Sequence, residues 1–76
     1  MAHISIKLFA SLNRFRPDDP EKYPIESGIT VKKLLKALDV PEEEVKLVFI
    51  DGVKHDLGAT LNGGERVGLF PAVGGG

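Results

Sequence analysis

From His3 to Phe9 the chain alternates, with Ile4, Ile6 and Leu8 on one face of an extended segment and Ser5 and Lys7 on the other. That period of two predicts a strand with one face in a core and one in solvent. Residues 10 to 21, ASLNRFRPDDPE, place Pro17 and Pro20 around two aspartates, which predicts a surface loop. KYPIE at 22 to 26 can form a short strand, and because Pro24 offers no N–H to a ladder, that strand belongs at a sheet edge. After Gly28 the period changes. Val31, Leu34, Leu35 and Leu38 recur at i, i+3, i+4 and i+7, an amphipathic helix with Thr30 as its N-cap and Lys32, Lys33 and Lys36 on the wet face. Pro41 is expected to stop it, and Glu42 to Glu44 to form an acidic turn suited to a short helical start.

The apolar run KLVFI at 46 to 50 leads into Asp51-Gly52, a pair that tolerates positive φ and predicts a two-residue hairpin turn with Val53 to His55 as the return arm. Leu57 and Leu61 are expected to pin the next loop to the core, and Asn62-Gly63-Gly64 to turn the chain into a last strand, ERVGLF, at 65 to 70. Pro71 ends it. The order strand, strand, helix, strand, short strand, strand describes an α+β roll with one main helix across one face of a mixed sheet.

Length and composition narrow what such a roll can do. Seventy-six residues predict one small domain, with too little structure to wall a deep pocket, which weighs against a self-contained enzyme. Apolar residues at 42% and charged residues at 28% are ordinary for a folded globular chain. Ten basic against eleven acidic residues give a formal charge of -1, without the basic excess that phosphate-backbone binding needs, so no nucleic-acid partner is expected. There is no cysteine, which removes disulfides, thiolate metal sites and thiol nucleophiles from this sequence. The alternating start MAHISIKLFA has no apolar signal core and no stretch is long enough to span a bilayer, so the expected location is cytoplasmic, with no membrane partner.

Candidate chemistry in the body of the chain is sparse. His3, His55 and Asp56 lack metal-ligand spacing, so no metal site is expected. Asp18 with Asp19, and Glu42 to Glu44, fall on wet loops without the contrast in burial that acid–base pairs require. Gly63, Gly64 and Gly68 lead into or lie within a strand, where no helix N-terminus would face a phosphate, so turn and strand glycines suffice.

The closing FPAVGGG is different. A domain over residues 1–70 would be followed by a flexible, Gly-rich tail, 71–76, in which Pro71 directs the chain away from the sheet and Val73 keeps one apolar contact. Fully extended, Pro71 to Gly76 reaches about 20 Å, enough to enter another protein's active site. Glycine has a physical use there, because backbone without Cβ can thread a narrow channel and bring a carboxyl to a reacting centre. A terminal carboxyl, with an ordinary pKa of about 3.3–3.7, is ionised near neutral pH and a poor electrophile, so chemistry on it requires activation. A frayed terminus is the plain alternative.

IKLFASL, ITVKKLL, DGVKHDLGATLNGGERVGLFP and the closing FPAVGGG together resemble the MoaD/ThiS family of β-grasp, ubiquitin-like sulfur carriers, over essentially the whole chain. The resemblance implies that an E1-like enzyme uses ATP to adenylate the carboxylate of Gly76, that a sulfur donor converts it to a thiocarboxylate, and that the chain itself binds no cofactor. Phe70, Pro71 and Val73 would launch and seat the tail, with Gly74 and Gly75 leading to Gly76. The FPxV tail and the proline-bearing loop point to the small-subunit type of molybdopterin synthase. That reading implies a non-catalytic subunit whose tail enters a large subunit. A thiazole-type carrier, a ubiquitin-like modifier joined to lysines through its glycine, and a passive β-grasp interaction module are the alternatives. Ala72 stands where many molybdopterin-type tails carry a second proline, and three glycines where the family ends in two, so Gly75 is a second candidate for the activated residue.

Overall fold

A computed structural model describes residues 2–72. Strand β1 (Ala2–Leu8) is followed by a 3-10 helix (Ala10–Phe15), β2 (Tyr23–Ile25), β3 (Ile29–Thr30) and helix α1 (Val31–Ala37). A second 3-10 helix (Glu42–Glu44), β4 (Val45–Ile50), β5 (Val53–His55), β6 (Thr60–Leu61) and β7 (Arg66–Pro71) complete the order. Five strands form one sheet in the order β2-β1-β7-β4-β5. β1 and β7 run parallel at its centre, and the other pairs are antiparallel. This is the β-grasp arrangement, and β2, with Pro24 at its middle, lies at an edge as its sequence predicts.

The buried set follows the two periods read from the sequence. Ile4, Ile6 and Leu8 of β1, Val67 and Leu69 of β7, and Val48 and Ile50 of β4 form the sheet's inner face, and Val31, Leu34, Leu35 and Leu38 form the helix stripe laid on it. No polar side chain is buried with them among the described residues. Burying one such aliphatic side chain contributes about 1.5–3 kcal/mol, so this single layer is the main stabilising term.

Three local findings refine the sequence reading. The segment after β1 is not all loop. Its first half is the 3-10 helix, and Leu12 inserts into the core with no exposed surface. A lone leucine among polar residues has no periodic partner to reveal it.

Helix α1 is finished before Pro41 is reached. Asp39 adopts φ +62°, its N–H donates to the Lys36 carbonyl (3.1 Å) and the Val40 N–H donates to the Leu35 carbonyl (2.9 Å), the paired closure of a Schellman motif. At the other end Thr30 Oγ1 accepts from the Lys33 N–H at 3.2 Å, as expected of an N-cap. The Val31 and Lys32 amides donate to the carbonyls of Ala59 and Leu57. The loop carrying Leu57 and Leu61 thereby satisfies the helix's open donors, and β3 pairs with β6 beside it in a two-stranded ribbon.

The last strand runs one residue beyond the sequence expectation. Pro71 is its final residue and pairs with Val45 across an irregularity in the β4–β7 register.

Candidate functional site

Strand alternation that buries Val67 and Leu69 turns Arg66, Gly68 and Phe70 to the sheet's other face, which no helix covers among the described residues. The pairing registers fill in that face. Ser5 stands beside Arg66 and Lys7 beside Gly68 in the parallel β1–β7 pair. Phe49 lies opposite Gly68 and Leu47 opposite Phe70 across β4–β7, and Lys54 lies opposite Phe49 across β4–β5.

Phe70 is the centre of an aromatic cluster. Its ring stacks on Phe9 with centroids 4.1 Å apart and planes 4° from parallel, and meets Phe49 edge-on at 5.4 Å and 79°. Phe9 is held in place by its backbone. Its N–H donates to the Leu69 carbonyl (3.1 Å), extending the ladder one residue past β1, while its carbonyl accepts from Leu12 (3.1 Å) at the start of the 3-10 helix. Ala10, at φ +52°, makes the turn between the two. Phe9 remains 38% exposed despite the stack.

A cleft of about 410 Å³ opens between these rings, lined by Lys7, Phe9, Phe49, Arg66, Gly68 and Phe70 among others. Its lower end is fixed by a reciprocal pair: the Asp51 N–H donates to the Arg66 carbonyl (2.8 Å) and the Arg66 N–H donates to Asp51 Oδ1 (3.0 Å). The hairpin turn itself has Asp51 at φ +52° and Gly52 at φ +82°, the geometry its sequence predicts. The ion pairs among the described residues, Arg14 with Glu44 and Lys32 with Glu42, involve none of the cations on this face.

Of the residues singled out in sequence, Phe70 sits in the cluster, and Pro71, expected to turn the chain away from the sheet, is instead the last residue of β7, still paired with Val45. Val73, Gly74, Gly75 and Gly76 lie outside the described residues. His55 is exposed at the end of β5, and Asp56 accepts from the Gly58 N–H at 2.9 Å, a turn contact. Phe9 and Phe49 are not singled out by the sequence, and Gly68 is considered there only as part of a phosphate loop. Their signal was present, since each is two residues from Lys7, Leu47 or Phe70, but it required the outer faces of three strands to be read together.

A family model described as Mut7-C ubiquitin matches residues 1–74. No curated protein matches the chain in sequence. Among solved structures, a putative molybdopterin converting factor subunit 1 from Pyrococcus furiosus superposes with TM-score 0.73 at 22% identity, over 96% of this chain and 100% of its own. The small archaeal modifier protein 1 of H. volcanii superposes with TM-score 0.72 at 25% identity, over 96% and 100%. The HVO 2177 protein of Haloferax volcanii gives 0.71 at 19%, over 99% and 87%. The likeness to MoaD-type and ubiquitin-like proteins expected from the sequence is thus met over nearly the whole chain.

Proposed function

The chain belongs to the Mut7-C ubiquitin family, and from that premise we propose that it is a ubiquitin-like sulfur carrier activated at Gly76. The observation that carries this reading is the path of β7. The strand is held on both sides by β1 and β4, presents Phe70 on the open face, and ends at Pro71, with Ala72 and Val73 between it and the glycine run. A rigid central strand is a firm origin for a segment that must be aimed into another protein.

In this reading an E1-like enzyme brings ATP. The Gly76 carboxylate attacks its α-phosphate, pyrophosphate leaves, and a sulfur donor displaces AMP to give the thiocarboxylate. The chain supplies the carboxylate and the docking surface, and the partners supply the catalysis. The acceptor is a molybdopterin synthase large subunit, and the setting is the cytoplasm. Support for that acceptor comes from the FPxV tail and the structural likeness to a molybdopterin converting factor subunit 1.

Sulfuration of a pterin precursor by a large subunit, supplied with this chain and the activating system, tests the reading. Deleting Gly75 and Gly76 should abolish product, and undiminished product would refute it. The likeness to a small archaeal modifier protein favours a second reading, conjugation of the activated glycine to protein lysines. Glycine remnants on lysines in digested host protein are the expected product of that route, and free thiocarboxylate that of the carrier.

A further inference from the structure

Asn62 precedes Gly63, and the fold leaves no choice about that glycine. Residue 63 sits at φ +125°, and a Cβ built on it would meet the Ala2 Cβ at 3.0 Å and the Ala2 Cα at 3.6 Å. Both the backbone conformation and the packing against β1 therefore require glycine. The turn is also well anchored. The Gly64 N–H donates to the His3 carbonyl (2.6 Å) and the Ser5 N–H to the Glu65 carbonyl (3.0 Å), which ties the start of β1 to the start of β7.

That requirement brings a chemical liability. The backbone nitrogen that follows an asparagine can attack the side-chain amide carbon, and glycine has no Cβ to obstruct the approach. In this reaction a bond forms between the Gly63 nitrogen and Asn62 Cγ, and the Gly63 N–H proton passes to solvent. The bond between Cγ and Nδ2 breaks, and the leaving nitrogen takes up a proton and departs as ammonia. Water then opens the five-membered imide at either carbonyl, giving aspartate or isoaspartate, with nothing oxidised or reduced. Asn62 is exposed, so water reaches it. The chain's other asparagine, Asn13, is followed by Arg14, whose Cβ crowds the same approach.

Glu65 stands against the reaction. Its Oε1 accepts from the Gly63 N–H at 2.7 Å and its Oε2 from the Asn62 N–H at 2.8 Å. The nitrogen that would attack is thus held by a charge-assisted hydrogen bond, and losing its proton there would leave two negative charges side by side.

We propose that Asn62 is a latent deamidation site and that Glu65 holds it shut. The inference is independent of the carrier reading, because it concerns this turn alone. The change runs one way. Its product places a second carboxylate beside Glu65, and isoaspartate adds a methylene to the backbone of the turn, so the tie between β1 and β7 weakens.

The test follows the full chain at neutral pH. Intact mass records the exchange of amide nitrogen for oxygen, peptide mapping locates it, and methylation by an isoaspartyl methyltransferase reports isoaspartate. The folded wild-type chain should convert at least about tenfold more slowly than the same chain in denaturing urea. Glu65→Ala should speed conversion of the folded chain about tenfold, with the gain confined to Asn62. Glu65→Gln, which keeps one acceptor oxygen for two donors and no charge, should fall between them. Each variant is compared with wild type in the urea concentration that gives it the same unfolding free energy, which separates the local hold from a loss of overall stability. Equal rates in that comparison would overturn the proposal, as would a folded wild-type chain that converts as fast as the denatured one, or conversion at Asn13 in place of Asn62. Should Glu65→Ala not fold, Glu65→Gln decides, and a rate equal to that of wild type overturns the assignment.

Discussion

Leu12 illustrates how much a single residue carries in a domain this small. It has no exposed surface and is the one buried residue of its 3-10 helix, so Leu12→Ala removes buried volume from the core. A loss of about 2–4 kcal/mol is expected, read as a fall in the urea midpoint at unchanged slope. Gly68→Ala is expected to move stability the other way, by about 0.4–1 kcal/mol, because its backbone already suits any residue and its Cβ finds ordinary contacts. A destabilised Gly68→Ala would show that the fold itself demands glycine there. Neither residue was legible from periodicity. Leu12 is apolar among polar neighbours, and Gly68 resembles any turn glycine until its register opposite Phe49 is known.

Among the elements, helix α1 shows which signals a sequence carries plainly and which it conceals. Its apolar stripe and its Thr30 cap are written in residue type and spacing, and both hold. Its end was expected at Pro41, yet the chain closes earlier through Asp39 at φ +62°, a conformation the sequence gives no glycine to announce. Asp39→Gly should therefore raise stability by about 0.5–1 kcal/mol in thermal denaturation. A fall would mean that the aspartate side chain contributes something its geometry does not reveal. The hairpin turn was legible because Asp-Gly has few other uses, whereas the β3–β6 ribbon was not, because two-residue strands have no period. Between the 3-10 helices, the Arg14–Glu44 pair at 2.9 Å joins side chains 55% and 35% exposed. Arg14→Ala is expected to cost less than about 1 kcal/mol, and less still in high salt.

For the whole molecule, the α+β roll and its core were readable because a five-stranded sheet and one helix impose two clean periods on the chain. The open face was not, since an outer sheet face that is part aromatic and part cationic looks like ordinary surface until four strands are set side by side. The domain has a helix-covered face that holds it together and a second face that no helix covers among the described residues, adjoining the end of β7. Gly76 lies beyond the described residues, so its role is a matter for chemistry. The intact mass of the chain after incubation with an E1-like enzyme, ATP and a sulfur donor tests that role most directly. A gain equal to exchanging one oxygen for sulfur, lost when Gly76 is deleted, is expected of a carrier. An unchanged mass, with an enzyme proven active on another carrier, would contradict it.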